Sequence, residues 1–502
     1  MSPDFRAADS TLPPPTGLAQ GQDNDVQAAK GDTHTLEGHM GTFELMMTVL
    51  AFTAPIVVVV AFIPFVLVFG GIGAPAIFGI AAVLLLFFAV GYTTMSRFLP
   101  NPGAFYAYIT AGLGRPLGLA SSFIAVFGYV MMAVGTYLLL GVVASSLVDT
   151  TFHGPTITWY WLSLVGVALT GVLGYFRIDL SAKVLTVAML CEVAIVAIFD
   201  LAVFRDGGPQ GRSLEPFTLH AVTSGSLGLG LLFAAGSFLG FEATAIFRDE
   251  VKNPLKTIPR ATYLCVVLIG VLYVVTSWLT TVAFGHSKTL EVAFKDPSGM
   301  VPHAAEQYVG VWARDVVTIL VVSSAFAAVL SVQNILARYI FSLGTDRVLP
   351  RALGKVHPTH GSPYLSSLLI TTVSAIGVLL SVGADPIALY AKIAGIGGFG
   401  LMLLIFLTGV SVVAFFRRHP QHAAHATVWH TVVAPLLGSA GMGAVLYLSI
   451  THFKLVTGGS MEEAIILQVA LWVIFVAGLV AAAVFRSTRP DTYARIGRQK
   501  VG

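Results

Sequence analysis

An all-α integral membrane protein with about twelve transmembrane helices is the fold class the sequence predicts, and three observations predict it. Of 502 residues, 56% are hydrophobic and only 11% charged, whereas a soluble domain carries roughly a quarter charged. Mean hydropathy is strongly positive, at +0.83. Apolar runs of about 20 residues, enough to cross a hydrocarbon core of roughly 30 Å, recur from Met46 to Phe485. The runs are continuous instead of alternating. With no water in a bilayer core to satisfy backbone groups, such runs close their hydrogen bonds as helices.

Taken in order, residues 1–40 are rich in Pro, Gly, Asp and Gln and read as a disordered tail. They hold no apolar core for a cleavable signal peptide, so the first span is expected to serve as the targeting signal. The spans then fall at 43–68, 74–97, 117–147, 157–177, 179–204 and 224–247. The rest follow at 261–285, 312–343, 364–383, 386–416, 429–451 and 464–486. Arg177 and Asp179 are all that divide the fourth span from the fifth. With the N-terminus inside, loops and tail on that side hold eighteen Lys and Arg, from Arg97 to Lys500. The other side holds six: Arg205, Arg212, Lys288, Lys295, Arg314 and Lys454. The positive-inside rule therefore places both termini in the cytoplasm and supports an even number of spans.

Two spans carry interruptions. Ala54-Pro55 sits inside the first, and Gly236-Ser237-Phe238-Leu239-Gly240 inside the sixth. Proline lacks an N–H and clashes with the carbonyl four residues back, and each glycine lowers helix propensity by roughly 1 kcal/mol. Unwound backbone at mid-membrane is tolerated where it lines a cavity or is buried in protein. Its free N–H groups suit a carboxylate and its free carbonyls an ammonium group. An ordinary kinked helix is the bland alternative for either break alone. The spacing of five helices fits inverted copies of one five-helix unit, 41–205 and 206–418, followed by two helices in 419–487 and a cytoplasmic C-tail at 488–502.

Three segments carry a family likeness. Asn101-Pro102-Gly103-Ala104-Phe105-Tyr106-Ala107-Tyr108 follows the second span. Gly240-Phe241-Glu242 is followed by Phe247, Glu250, Asn253, Pro254, Pro259 and Arg260. Ala337-Arg338-Tyr339 leads to Gly344, Asp346, Arg347 and then Gly361-Ser362-Pro363. Together they resemble the amino acid–polyamine–organocation (APC) permeases. The resemblance implies a LeuT-like 5+5 inverted repeat plus two C-terminal helices. It also implies secondary active transport of amino acids across the plasma membrane by alternating access, driven by protons or by exchange. A polyamine or other organic amine is the alternative substrate, and a membrane receptor or sensor the alternative class. Carried over by position, a substrate carboxylate would meet backbone at Ala54, Pro55, Ile56 and Val57. Its ammonium group would meet carbonyls at Gly236, Ser237 and Phe238, with Gly240 in the break and Phe238 or Phe241 covering the side chain. The chain departs from the family in lacking a Gly-Ser-Gly break in helix 1 and in placing Gly236 where some exchangers have a gating tryptophan.

Ionisable groups inside the spans are few, and each marks a pathway or a partner. Glu192 and Glu242 are the candidate proton-coupling groups, because burial favours the neutral carboxyl. Arg338 and Lys392 read as structural, with long stems reaching the interfaces. Ser323 and Ser324 offer oxygens for a sodium site as an alternative to protons. Tyr129 and Tyr390 are candidate cavity-lining groups. Cys191 and Cys265 make no disulfide framework, and no His cluster is completed into a metal site. No phosphate-cradling Gly-Lys-Ser/Thr loop, catalytic triad or nucleic-acid-binding pattern is present. The expected partners are therefore the bilayer, a small amine or amino acid, and protons, with no cofactor and no enzymatic role.

Overall fold

The computed structural model describes residues 40–99, 104–176, 182–245, 251–423 and 426–497. The expected disordered tail, Asn101 to Gly103, the Arg177–Asp179 junction, Phe247 to Glu250 and the end of the C-tail lie outside the described residues.

Among the described residues, twelve apolar helices form the body. They are α1 (Thr42–Gly70), α2 (Ala74–Met95), α3 (Arg115–Thr151) and α4 (Trp159–Phe176); α5 (Ala182–Asp206); and α6 (Leu227–Ala245), α7 (Pro254–Phe284) and α8 (Val311–Thr345). The last four are α9 (Tyr364–Leu380), α10 (Pro386–Arg418), α11 (Trp429–Leu455) and α12 (Met461–Thr488). Eleven are long and apolar enough to cross a membrane, and α9 is a shorter apolar helix of 17 residues, about 25 Å long at the α-helical rise. Among the described residues there is no strand beyond one isolated bridge, Met40 with Val251.

Local chemistry sets the ends. Proline occupies the first turn of α2, α3, α7 and α10, where its missing N–H costs nothing. Asp385 accepts the Ala388 N–H at 2.7 Å to cap α10, and Ser460 caps α12 in the same way. Helix α7 starts at Pro254, seven residues before the expected boundary. The basic stretch from Lys252 to Arg260 reads as loop in hydropathy, yet it is largely the first turns of that helix. Short helices Ala104–Leu113, His286–Lys295 and Met300–Tyr308 occupy connections between the predicted spans.

The layering places the two broken helices at the centre. The most apolar windows of α1 and α6 are 88% and 89% buried, against 28% for α4 and 17% for α12. Exposed Val165, Leu169, Val473 and Val476 give the outer helices an apolar coat, as a lipid-facing surface requires. Helix α3 is the hub, contacting α4, α8, α10 and α12. The short helix Ala104–Leu113 also packs on α10, so closely that a Cβ at Gly112 would lie 2.1 Å from the Ser411 carbonyl oxygen.

Candidate functional site

Helix α1 is interrupted at one residue. Ala54 takes a left-handed conformation, φ 49° and ψ 64°, and the ring of Pro55 disfavours the right-handed α conformation in the residue before it. The helix restarts at Pro55. Of the first donors in the new segment, Val57 N–H and Val58 N–H turn back to the Ala54 carbonyl at 3.0 and 3.2 Å. Ile56 N–H points elsewhere and donates to Glu192 Oε2 of α5 at 3.2 Å. Glu192 lies near the middle of α5 and is only 5% exposed. A carboxyl group thus sits on the positive end of a half-helix, where the macrodipole favours an anion.

Helix α6 is broken as well. Its first half ends at Gly236, Gly240 adopts φ 119°, and a 3-10 segment Phe241–Ala245 follows. Glu242 organises this turn. Its Oε2 accepts Gly240 N–H at 2.7 Å, its Oε1 accepts the Tyr129 hydroxyl at 3.0 Å, and its carbonyl accepts the Tyr92 hydroxyl at 2.9 Å. The Tyr339 ring lies 5.9 Å from that of Tyr129. Ser237 returns its hydroxyl to the Ala234 carbonyl at 2.6 Å. Phe238 is fully buried edge-on to Tyr273 at 5.6 Å, and Phe241 edge-on to Phe88 at 6.0 Å.

Between the breaks and the face reached by the end of α1, aromatic rings close the molecule. Phe62, Phe65 and Phe69 of α1 meet Phe233 of α6 and Tyr390 of α10, with centroid separations from 4.9 Å (Phe69–Phe233, stacked) to 6.5 Å (Phe62–Phe233). Space remains beside Gly236, where an added Cβ would meet only Phe62 Cε1, at 3.9 Å.

The structure therefore brings Ala54, Pro55, Ile56 and Val57 together with Glu192, and Gly240 together with Glu242 and Tyr129. Ser323 and Ser324 part company: the Ser323 hydroxyl is exposed and donates to the Leu320 carbonyl at 3.0 Å. Ser324 is buried against the Glu192 carboxyl. Arg338 is exposed on α8, and Lys392 Nζ pairs with Glu463 Oε2 at 2.7 Å. Among the described residues, no group of three His, Cys, Asp or Glu is placed to hold a metal ion.

Sequence reasoning missed Asp200 on α5. It is buried, with Oδ2 accepting the Thr276 hydroxyl at 2.8 Å and Oδ1 unpartnered. Its signal was present, an acidic residue inside a predicted span. The aromatic seal was also overlooked, although spacings of three and four residues put Phe62, Phe65 and Phe69 on one face.

Comparison with known proteins matches the sequence to one family. The family model described as "Amino acid permease" matches residues 43–484. The branched-chain amino acid permease BcaP of Bacillus subtilis is 26% identical, over 79% of this chain and 85% of its own length. The low-affinity putrescine importer PlaP of Escherichia coli is 23% identical, over 76% and 82%. A methylthioribose transporter of Bacillus subtilis is 26% identical over about half of each chain, 52% and 53%. With a match running from the start of α1 almost to the end of α12, the chain belongs to the amino acid permease family, a group of membrane transporters and not enzymes.

Proposed function

We propose that this protein is a secondary carrier that moves amino acids across the plasma membrane by alternating access, with protons as the coupling ion. Both termini lie in the cytoplasm in this reading, and the five-helix halves 41–205 and 206–418 move against one another. The supporting observation is the Ile56–Glu192 contact. An ionised Glu192 occupies the N–H that the carboxylate of an amino acid would need. Protonation removes that charge, weakens the charge-assisted bond and frees the donor at the half-helix end. Proton and substrate carboxylate then enter as a pair, which is the logic of symport.

In this reading Ile56 and its neighbours Ala54, Pro55 and Val57 take the carboxylate, and the carbonyls around Gly236, Ser237 and Phe238 take the ammonium group. Glu242 has both oxygens engaged, so it holds the α6 break while Glu192 carries the proton. The rings of Phe62 and Phe233 favour an apolar side chain, and the BcaP name points the same way. An organic amine is the second reading, supported by the buried carboxyl groups and by PlaP.

The test is uptake of labelled amino acids and amines into proteoliposomes under an imposed proton or sodium gradient. Stimulation by an inward proton gradient is expected, and it should disappear in Glu192→Gln while substrate binding persists. Uptake that follows sodium and ignores protons would shift the coupling role to Ser324, and uptake of amines alone would reject the amino acid assignment.

A further inference from the structure

A groove of about 570 Å³ opens on the outer side of the helical body between α3, α4, α5 and α8. That volume lies within the ~300–1,000 Å³ range of small-molecule sites. Its walls are apolar: Leu140, Leu162, Leu169, Met189, Ile319 and Phe326. Leu169 and Ile319 at its rim are 51% and 43% exposed on the apolar coat, so the mouth opens toward acyl chains. The floor is polar. Glu192 and Ser324 lie there, only 5% and 3% exposed. The Ser324 hydroxyl lies against the Glu192 carboxyl. A buried carboxylate bordering an apolar groove is costly to leave without a cation, and a ligand that brings a positive charge removes the cost.

We infer that the groove is a binding site for a single-chain amphiphile with a small amine head, reached laterally from the bilayer. The chain replaces lipid along the leucine-lined walls. The head donates to Glu192 and is shared with Ser324, and its positive charge complements the carboxylate. An alcohol of equal length would make the hydrogen bonds without the charge, and an alkane would make neither. Because Glu192 also holds Ile56 N–H, an amine in the groove competes for the carboxyl that caps α1. This last consequence rests on the transport reading; occupancy of the groove does not depend on it.

The experiment uses the full chain in lipid nanodiscs and a diazirine-bearing dodecylamine, with labelled peptides identified by mass spectrometry. Labelling should concentrate on peptides of α4 and α8 and be competed by dodecylamine more strongly than by dodecanol. Glu192→Gln should abolish that preference for the amine. Leu169→Trp, which fills the groove from its exposed rim, should cut competed labelling about tenfold, equivalent to ~1.4 kcal/mol. Ala327→Trp, from α8 across the groove, gives an independent block. Equal labelling of lipid-facing α12 without competition would mean ordinary lipid contact only and would overturn the site, as would labelling that survives both folded tryptophan variants. Labelling needs no transport, so this result and the uptake result can fail separately.

Discussion

Glu192 and Glu242 look alike in the sequence, each an acidic side chain within an apolar helix, but their partners separate them. Glu242 is held by a backbone N–H two residues away and by Tyr129. Tyr129→Phe leaves Glu242 Oε1 without its donor, and an unpaired buried acceptor costs about 1–3 kcal/mol. A lower melting temperature in detergent is expected for Tyr129→Phe, and an unchanged one would mean that the pair contributes nothing to the α6 turn. Glu192 was legible as a buried acid, but its contact with Ile56 spans 136 residues. No spacing rule reaches that far, since the meeting depends on how α5 lies against α1. The same limit hid the bond between Tyr129 and Glu242, although each was a candidate alone.

Among the elements, the helix bodies were readable because each apolar run ends where proline, glycine or a polar cap intervenes. Both breaks were readable for the reason that Pro55 and Gly240 disrupt helices through their own covalent structure. The short connecting helices were not, since sequences such as His286–Lys295 carry enough polarity to resemble loops. The break in α1 yields a prediction. Ala54 is a non-glycine residue in the left-handed region, a conformation that costs roughly 1–2 kcal/mol for L-residues and little for glycine. Ala54→Gly should therefore preserve or raise thermal stability. Ala54→Val, with a branched Cβ, should lower it clearly. The opposite order in a melting experiment would mean that the break is not held in this geometry.

For the whole molecule, the two central helices are enclosed, and the rings of Phe62, Phe65, Phe233 and Tyr390 pack together between the candidate site at their breaks and the far face. On the face where the chain enters α1, Lys252 N–H donates to the Met40 carbonyl at 3.1 Å. Gly497 N–H donates there to the Tyr106 hydroxyl at 2.7 Å, binding the chain's last described residues to the bundle. A carrier working by alternating access must open these two closures in turn. Removing one ring should favour the open far face. A cysteine at Gly236 fits the space present there. In a chain lacking Cys191 and Cys265, its reaction with a water-soluble maleimide should speed up when Phe65→Ala is added. An unchanged rate would show that these rings are not the barrier. Sequence composition announced a membrane bundle, but such a seal forms only when α1, α6 and α10 converge.

The central claim is that a proton on Glu192 and a substrate at Ile56 N–H bind together, and proton counting tests it most directly. Substrate added to the purified carrier in weakly buffered solution should draw in about one proton per molecule bound, as linkage requires when binding neutralises a carboxylate. Glu192→Gln should bind substrate with no proton uptake. Saturable binding without proton uptake in the unaltered chain, or proton uptake that persists in Glu192→Gln, would contradict the account.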